Sequence, residues 1–177
     1  MHLQEVSQKV RRQLTLFLSE NVEGIEKIRA TFNPQQHDRI AAHVTLCREE
    51  EIEPLEQIRK NSKAIAIDKP ICIKFGFVER FCEGKGVRIP GDGVNRDFYE
   101  LRKKMLRGIE ADPAKQIPHI TLMHPRNSTC SDAIFDQIKT IDLPAELYFE
   151  SISLIEQVND GVWTILEQFP IVKGRTG

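Results

Sequence analysis

The chain has 177 residues, is 40% hydrophobic and 29% charged, and carries a formal charge of −1. Its length supports a hydrophobic core without disulfide staples, and its hydrophobicity is too high and its net charge too low for a disordered chain. The lack of a basic excess argues against a protein that wraps long duplex DNA or RNA, so a nucleic-acid ligand would be small and held by a local basic patch.

In chain order, residues 13–18 read as a short apolar strand. The run is too short for a signal segment or a membrane span. With no targeting segment evident, a cytoplasmic location is expected. Residues 19–22 carry turn chemistry, and Ile25, Ile28 and Phe32 follow at helical spacing. Asn33-Pro34 ends that helix. A strand is expected over residues 42–47, and a helix over 51–62 with Ile52, Leu55 and Ile58 on one face. Residues 70–81 alternate Ile71, Ile73, Phe75 and Phe77 and read as one long strand. A glycine-rich hairpin region follows through Gly84, Gly86, Gly91 and Gly93, with a strand at 87–90. Asn95 is placed to cap a helix bearing Phe98, Leu101, Met105, Leu106 and Ile109. Pro113 and Pro118 bracket a loop that leads into a strand at 119–122. Ser131 caps a helix bearing Ile134, Ile138 and Ile141. Two last strands, 147–158 and 162–169, are joined by Asn159-Asp160-Gly161, a strong hairpin signal.

The four cysteines, Cys47, Cys72, Cys82 and Cys130, form no Cys-x-x-Cys pair and no zinc-ligand spacing, so reduced thiols are expected. No low-complexity linker divides the chain. The order therefore reads as a single domain over 1–177 made of two similar lobes, roughly 1–82 and 83–177, with strands free to exchange between them.

The repeat becomes specific at one tetrapeptide. His43-Val44-Thr45-Leu46 matches His119-Ile120-Thr121-Leu122, with the histidines 76 residues apart, one in each lobe. Either copy alone would be a weak signal. Residues two apart on a strand share a face, so His43 and Thr45 point one way and Val44 and Leu46 the other, and the second copy behaves alike. Two imidazoles titrating near pH ~6.5 can supply both a proton acceptor and a proton donor at neutral pH. Hydroxyls two residues on can donate to phosphate oxygens where charge accumulates. Neither task needs a metal.

The paired His-x-Thr-Leu strands resemble those of the two-histidine phosphoesterase superfamily, which includes 2′-5′ RNA ligase-like proteins and RNA 2′,3′-cyclic phosphodiesterases. The resemblance implies an α+β fold, bilobal, of two duplicated βαβ-type lobes with antiparallel sheets facing a central cleft. It implies hydrolysis of 2′,3′-cyclic phosphates of RNA ends or small nucleotides to 2′-phosphates, and 2′-5′ ligation as a related activity. On that pattern His43 and His119 are acid and base, in either order, and Thr45 and Thr121 bind the phosphate. No metal and no cofactor is implied, and the partner is a nucleotide or RNA-end substrate. Neither duplex DNA nor a membrane is expected as a partner, and a monomer is expected. Where the family tends to have a basic residue directly after the second motif, this chain has Met123-His124-Pro125 before Arg126. Arg48 and Arg126 are the cleft candidates beyond the motifs.

Blander expectations attach to the remaining residues. His124 falls on the opposite face from His119 or past the strand end and reads as a loop or surface histidine, as does His37. The alternation of Phe75, Phe77 and Phe81 reads first as core, with base stacking as the second choice. Trp163 and Tyr148 read as core or edge packing. Gly84-Lys85-Gly86 lacks the P-loop order, and Cys47, four residues after His43 on a strand, lacks the helical spacing of a zinc pair. The acidic run 49–53 reads as a solvated helix start. Two competitors to a metal-free enzyme are a nucleotide- or RNA-end-binding module on the same fold and a metal-dependent hydrolase; an intact acid/base pair argues against the first, and chelator sensitivity would identify the second.

Overall fold

The structure, a computed structural model, describes residues 7–110, 113 and 115–174. Nine strands and five helices alternate along it. They are β1 (Val10–Phe17), α1 (Glu23–Phe32), α2 (Pro34–His37), β2 (His43–Cys47), α3 (Leu55–Lys63), β3 (Ile71–Lys74), β4 (Glu79–Phe81), β5 (Gly86–Pro90), α4 (Arg96–Met105), β6 (His119–Met123), α5 (Asp132–Lys139), β7 (Glu146–Phe149), β8 (Ser151–Val158) and β9 (Trp163–Pro170). Seven strands form one antiparallel sheet in the order β4-β5-β6-β2-β1-β8-β9, and β3 and β7 pair in a small second sheet. The fold is α+β, and among the described residues no helix is long and apolar enough to cross a membrane.

The large sheet has two wings that meet where β2 and β6 pair, through Val44↔Ile120 alone. One wing is β4-β5-β6; the other is β2-β1-β8-β9. The wings mix the two halves of the chain, because the C-terminal hairpin β8-β9 pairs with the N-terminal β1. The β8-β9 hairpin itself follows from its turn: Asn159 and Asp160 both take positive φ, +49° and +57°, the geometry of a turn whose twist matches the strands it joins. The core lies on one face of the sheet. Val44, Leu46, Ile120 and Leu122 are buried there with Leu14, Leu16 and Ile89, under Ile25 and Ile28 of α1 and Phe98 and Leu101 of α4.

Three expected elements are subdivided. The strand expected over 70–81 is two strands in different sheets: β3 pairs with β7 and β4 with β5. The chain crosses between them at Gly76, whose N–H donates to the Pro90 carbonyl at 2.8 Å, and Phe77 is left 95% exposed. Alternating residues persist through the crossing, which is why the pattern reads as continuous. The strand expected over 147–158 likewise passes from the small sheet to the large one at Glu150. The helix expected over 51–62 is a 3₁₀ turn at Glu49–Glu51 followed by α3, because Pro54 lacks the N–H that a helix interior requires. At the helix starts, Ser131 does cap α5, its Oγ accepting from the Ile134 N–H at 3.2 Å. Asn95 does not cap α4: it takes φ +43°, and its side chain accepts from the Lys74 N–H and donates to the Lys74 carbonyl.

The seam between the wings is the mechanical weak point. Ile120→Ala, which opens a cavity there, is expected to lower the unfolding free energy by about 2–5 kcal/mol. Ile165→Ala, on the exposed side of the edge strand, should stay within about 0.5 kcal/mol of wild type. Urea unfolding midpoints of the two variants measure the difference.

Candidate active site

The single pairing at the seam determines the site. β2 and β6 run antiparallel with Val44 opposite Ile120. One step either way along that register sets His43 opposite Thr121 and Thr45 opposite His119, on the face away from the core. The four side chains occupy a rectangle about 5 Å across and about 6.6 Å along the strands. Each histidine therefore has one threonine two residues on and another across the seam. All four residues are half-buried, between fully buried neighbours.

The two imidazoles are held in the same way. His43 Nδ1 donates to the Ala41 carbonyl at 2.8 Å, and His119 Nδ1 donates to the Ile117 carbonyl at 3.1 Å. A carbonyl only accepts, so both rings carry the Nδ1 proton and keep Nε2 for the cleft. An aromatic ring braces each: Phe17 stands edge-on to His43 at 6.0 Å, and Phe81 is tilted against His119 at 6.4 Å.

The backbone around the carbonyls that orient the rings is held by buried polar and charged side chains. On the His43 side, buried Arg29 donates to the Ile40 carbonyl and pairs with Glu26 at 2.9 Å, while the Glu26 carboxylate accepts from the Ala42 N–H. The peptides on both sides of Ala41 are thereby held. On the His119 side, buried Gln116 donates to the Thr45 carbonyl at 3.0 Å and accepts from Arg102 at 3.2 Å; Arg102 also donates to the Leu46 carbonyl and pairs with Glu51 at 2.6 Å. The Pro118 carbonyl accepts from the Gly91 N–H at 2.6 Å. None of Glu26, Arg29, Arg102 and Gln116 carries a local sequence signal, since each acts on a strand remote in sequence.

The four motif residues line one cleft of about 1040 Å³, together with Arg48 and Arg126. All six candidates of the sequence analysis thus share one cavity. Seven Lys and Arg residues line it against three Asp and Glu, so a chain of charge −1 concentrates positive charge at this site. Arg88, opposite Thr121 in the register and paired with Glu79 at 2.7 Å, is a cleft residue the sequence reading did not single out. Its only sequence sign is a lone cation between the buried Val87 and Ile89. Phe81 lines the cleft instead of packing in the core. Trp163, on the edge strand β9, lines it as well, and His124, in the loop just beyond β6 as expected, forms part of its wall. Phe75 is in the core as expected, and Cys47 is a buried thiol pushed up to about 12 by desolvation. Among the described residues, no three His, Cys, Asp or Glu side chains are grouped to hold a metal ion.

Burial pushes the His43 imidazole down to about 4, with Arg29, His119 and His124 adding to the drop against the Ala41 hydrogen bond. His119 is lowered by burial too, with Arg88 and Arg48 adding to it and the Ile117 hydrogen bond and Glu79 opposing it. Burial, then Arg126 and Arg11, take His124 down to about 4. In the free protein the three rings are neutral at neutral pH. A bound phosphate would favour their protonated forms.

An antiparallel α+β sheet with two His-x-Thr strands side by side under a basic cleft defines a phosphoesterase-type site. The chain matches the model of the 2′-5′ RNA ligase superfamily over residues 17–161. It belongs to that superfamily, the two-histidine phosphoesterases. Among solved structures it is similar to E. coli LigT complexed with phosphate, at 17% identity and a TM-score of 0.60, covering 94% of this chain and 100% of that one. It is equally similar to a structure described as a phosphoesterase, with 17% identity, a TM-score of 0.60 and coverage of 93% and 100%. TT0787 of Thermus thermophilus follows at 17% identity and a TM-score of 0.58, with coverage of 93% and 100%. No curated protein sequence matches the chain.

The neutral imidazoles make stability depend on pH in a definite direction. An unfolded chain protonates its histidines near pH ~6.5, whereas folded His43 resists until about 4. Between those values the unfolded state binds more protons, so stability falls as pH falls through that window. The wild type is expected to lose more stability than His43→Asn between about pH 7 and pH 4.5 in urea titrations. Equal losses would remove the argument that His43 is held neutral.

Proposed function

We infer that this protein is a metal-independent phosphodiesterase that opens 2′,3′-cyclic phosphates, on RNA ends or small nucleotides, to 2′-phosphates. The observation that carries the reading is the crossed His/Thr quartet, with both Nδ1 atoms bonded to carbonyls and both Nε2 atoms left for the cleft. Water attacks phosphorus, and the bond from phosphorus to the 3′ oxygen breaks. One Nε2 takes the proton of the attacking water; the other gives its proton to the leaving 3′ oxygen, and exchange with solvent restores both rings. The threonine hydroxyls donate to the non-bridging oxygens, where negative charge accumulates in the transition state. The near two-fold symmetry of the quartet suits either histidine to either role. With a ribose 5′ hydroxyl in place of water as the nucleophile, the same steps join a 2′-5′ linkage: its oxygen bonds to phosphorus, the bond to the 3′ oxygen breaks, and the 3′ oxygen takes the proton. The superfamily and the LigT structures solved with phosphate, ATP and 3′-AMP support a nucleotide or RNA end as substrate. We take the enzyme to be a cytoplasmic monomer that needs no cofactor and acts on neither duplex DNA nor membranes.

The test is hydrolysis of 2′,3′-cyclic nucleotides and of a cyclic-phosphate-ended RNA oligomer in EDTA, with identification of the product phosphate. Turnover that gives a 2′-phosphate is expected. His43→Ala and His119→Ala should each lower kcat by about 10²–10⁴, and Thr45→Val and Thr121→Val should lower kcat/KM. Near wild-type kcat in either histidine variant would overturn the acid/base assignment. Turnover by none of the forms would leave a nucleotide-binding module as the better reading, and loss of turnover in EDTA would point to a metal hydrolase.

The lowered imidazoles also set the pH profile. kcat/KM reports the free enzyme, which must hold one ring protonated and one neutral. With His43 at about 4 and His119 below its ordinary value, the kcat/KM maximum is expected below about pH 6.5. Bound phosphate favours the imidazolium, so the alkaline limb of kcat should lie at higher pH than that of kcat/KM. Coincident alkaline limbs would count against protonation linked to substrate binding.

A further inference from the structure

The His/Thr quartet occupies only one end of the cleft. Away from it, a row of side chains runs across the other wing in strict register: Arg11 on β1 lies opposite Gln157 on β8, which lies opposite Trp163 on β9. Paired residues share a face, so this row stands on the cleft side with Thr45 and His43. β9 is three strand spacings from β2, about 14 Å. That is farther than the base of a terminal nucleoside reaches from its own phosphate.

The row is rigid. Arg11 donates to Glu49 at 2.9 Å and to Gln157 at 3.1 Å, and its guanidinium lies over the Trp163 ring at 5.4 Å. The Trp163 backbone N–H donates to the Arg39 carbonyl at 2.9 Å. Indole and guanidinium together make a platform of the kind on which unpaired bases stack.

Facing it is the loop that follows the second motif, held from below by Asn33, which is 1% exposed. Asn33 Oδ1 accepts from the His124 N–H at 2.7 Å, its Nδ2 donates to Asn127 Oδ1 at 2.8 Å, and Asn127 Nδ2 donates to Gln36 at 3.0 Å. In this loop the Arg126 N–H donates to His124 Nδ1 at 3.2 Å. His124 therefore carries its proton on Nε2 and offers a donor, the opposite tautomer to His43 and His119. Arg126 and Arg39 line the same cleft, and neither side chain has an ion-pair partner among the described residues. A fixed neutral donor, two unneutralised guanidiniums and a stacking platform are the parts needed to hold one nucleotide by its base and its phosphodiester.

We propose that Trp163 and Arg11, with His124, Arg126 and Arg39, form a second subsite for the nucleotide preceding the cyclic end, so that the preferred substrate is an oligoribonucleotide end instead of a mononucleotide. The proposal rests on reading the His/Thr quartet as the terminal-phosphate site. Trp163 takes the penultimate base, and Arg126 and Arg39 take the internucleotide phosphate. The His124 Nε2–H donates to the same phosphate or its ribose oxygen. A single nucleotide fills the quartet end and leaves this platform empty.

Trp163 is the only tryptophan in the chain, so its emission reports occupancy directly. The first arm compares kcat/KM for a 2′,3′-cyclic mononucleotide and for a trinucleotide with the same cyclic end. The trinucleotide is expected to be preferred, and Trp163→Ala should cut the ratio of the two values by about 5- to 150-fold, the worth of one base stacked on an aromatic ring. The second arm titrates the inactive His43→Ala/His119→Ala protein with the 2′-phosphate product forms of the two ligands. The trinucleotide should quench the emission and the mononucleotide should not. Arg126→Ala should reduce the salt slope of trinucleotide binding by about 0.7, the share of one phosphate contact on a single strand. Equal kcat/KM for the two substrates, with a ratio untouched by Trp163→Ala, would overturn the subsite and leave the phosphodiesterase reading intact. If neither substrate turns over, that reading fails and emission decides the subsite: quenching by the trinucleotide alone upholds it, and no quenching overturns it.

Discussion

The backbone pairing of Val44 with Ile120 is the constraint on which the rest depends. Strand side chains alternate, so a slip of one residue at this seam would turn one motif's histidine and threonine into the core and expose two aliphatic residues. A slip of two would keep the faces but take each histidine away from the threonine opposite. Only the observed register gives two His/Thr pairs crossed on one surface. The core enforces it. Val44, Leu46, Ile120 and Leu122 are at most 1% exposed, and neither strand can shift without lifting such a residue from the interior. Hydrophobic burial on one face thus specifies the geometry of the His/Thr quartet on the other.

The buried charges near the site make sense in the same terms. A buried ion pair is a poor source of stability, since desolvation offsets most of its attraction. Arg29 and Arg102 are each 2% exposed, and each pairs with a glutamate. Both also bond backbone carbonyls of the strand-and-entry segment that carries the first motif, at Ile40 and Leu46. They hold it at its two ends, one before His43 and one after Thr45, and Gln116 connects the second clamp to the entry of the other motif. Aliphatic residues of equal volume would fill the same space without offering five directional donors to carbonyls. The arrangement is a positioning device for rings that must stay aligned while their protonation changes.

How much of this was legible in the sequence follows from the range over which each signal acts. The His-x-Thr-Leu repeat specifies its own face by alternation, and so the quartet could be read without coordinates. Turn chemistry at Asn159-Asp160 and the cap at Ser131 are equally local. The crossing at Gly76 was hidden because a chain that passes from one sheet to another keeps alternating. The cleft side of Phe81 was hidden for a related reason, as was that of Trp163 on its edge strand: an aromatic residue in a strand looks the same whether its face meets the core or a cleft. Arg29, Arg88, Arg102 and Gln116 act through partners remote in sequence, and Arg11 belongs with Trp163 only through the pairing of three strands.

The symmetry of the quartet ends at its border. Opposite Thr121 stands Arg88, paired with Glu79 and lying over Phe81. Opposite Thr45 stands Thr15, fully buried and capped by Gln13. The His119 end is therefore charged and closed off by the short strands β4 and β5, while the His43 end opens over β1, β8 and β9 toward Trp163. A symmetric pair of histidines can work in either direction, but a substrate has two different ends, and an enzyme that acts on one of them must distinguish them. On the proposed reading, the duplicated motifs provide the acid and the base. The unlike strands on either side of them give the cleft its direction, and that asymmetry arises from the exchange that places the C-terminal hairpin beside the N-terminal strand.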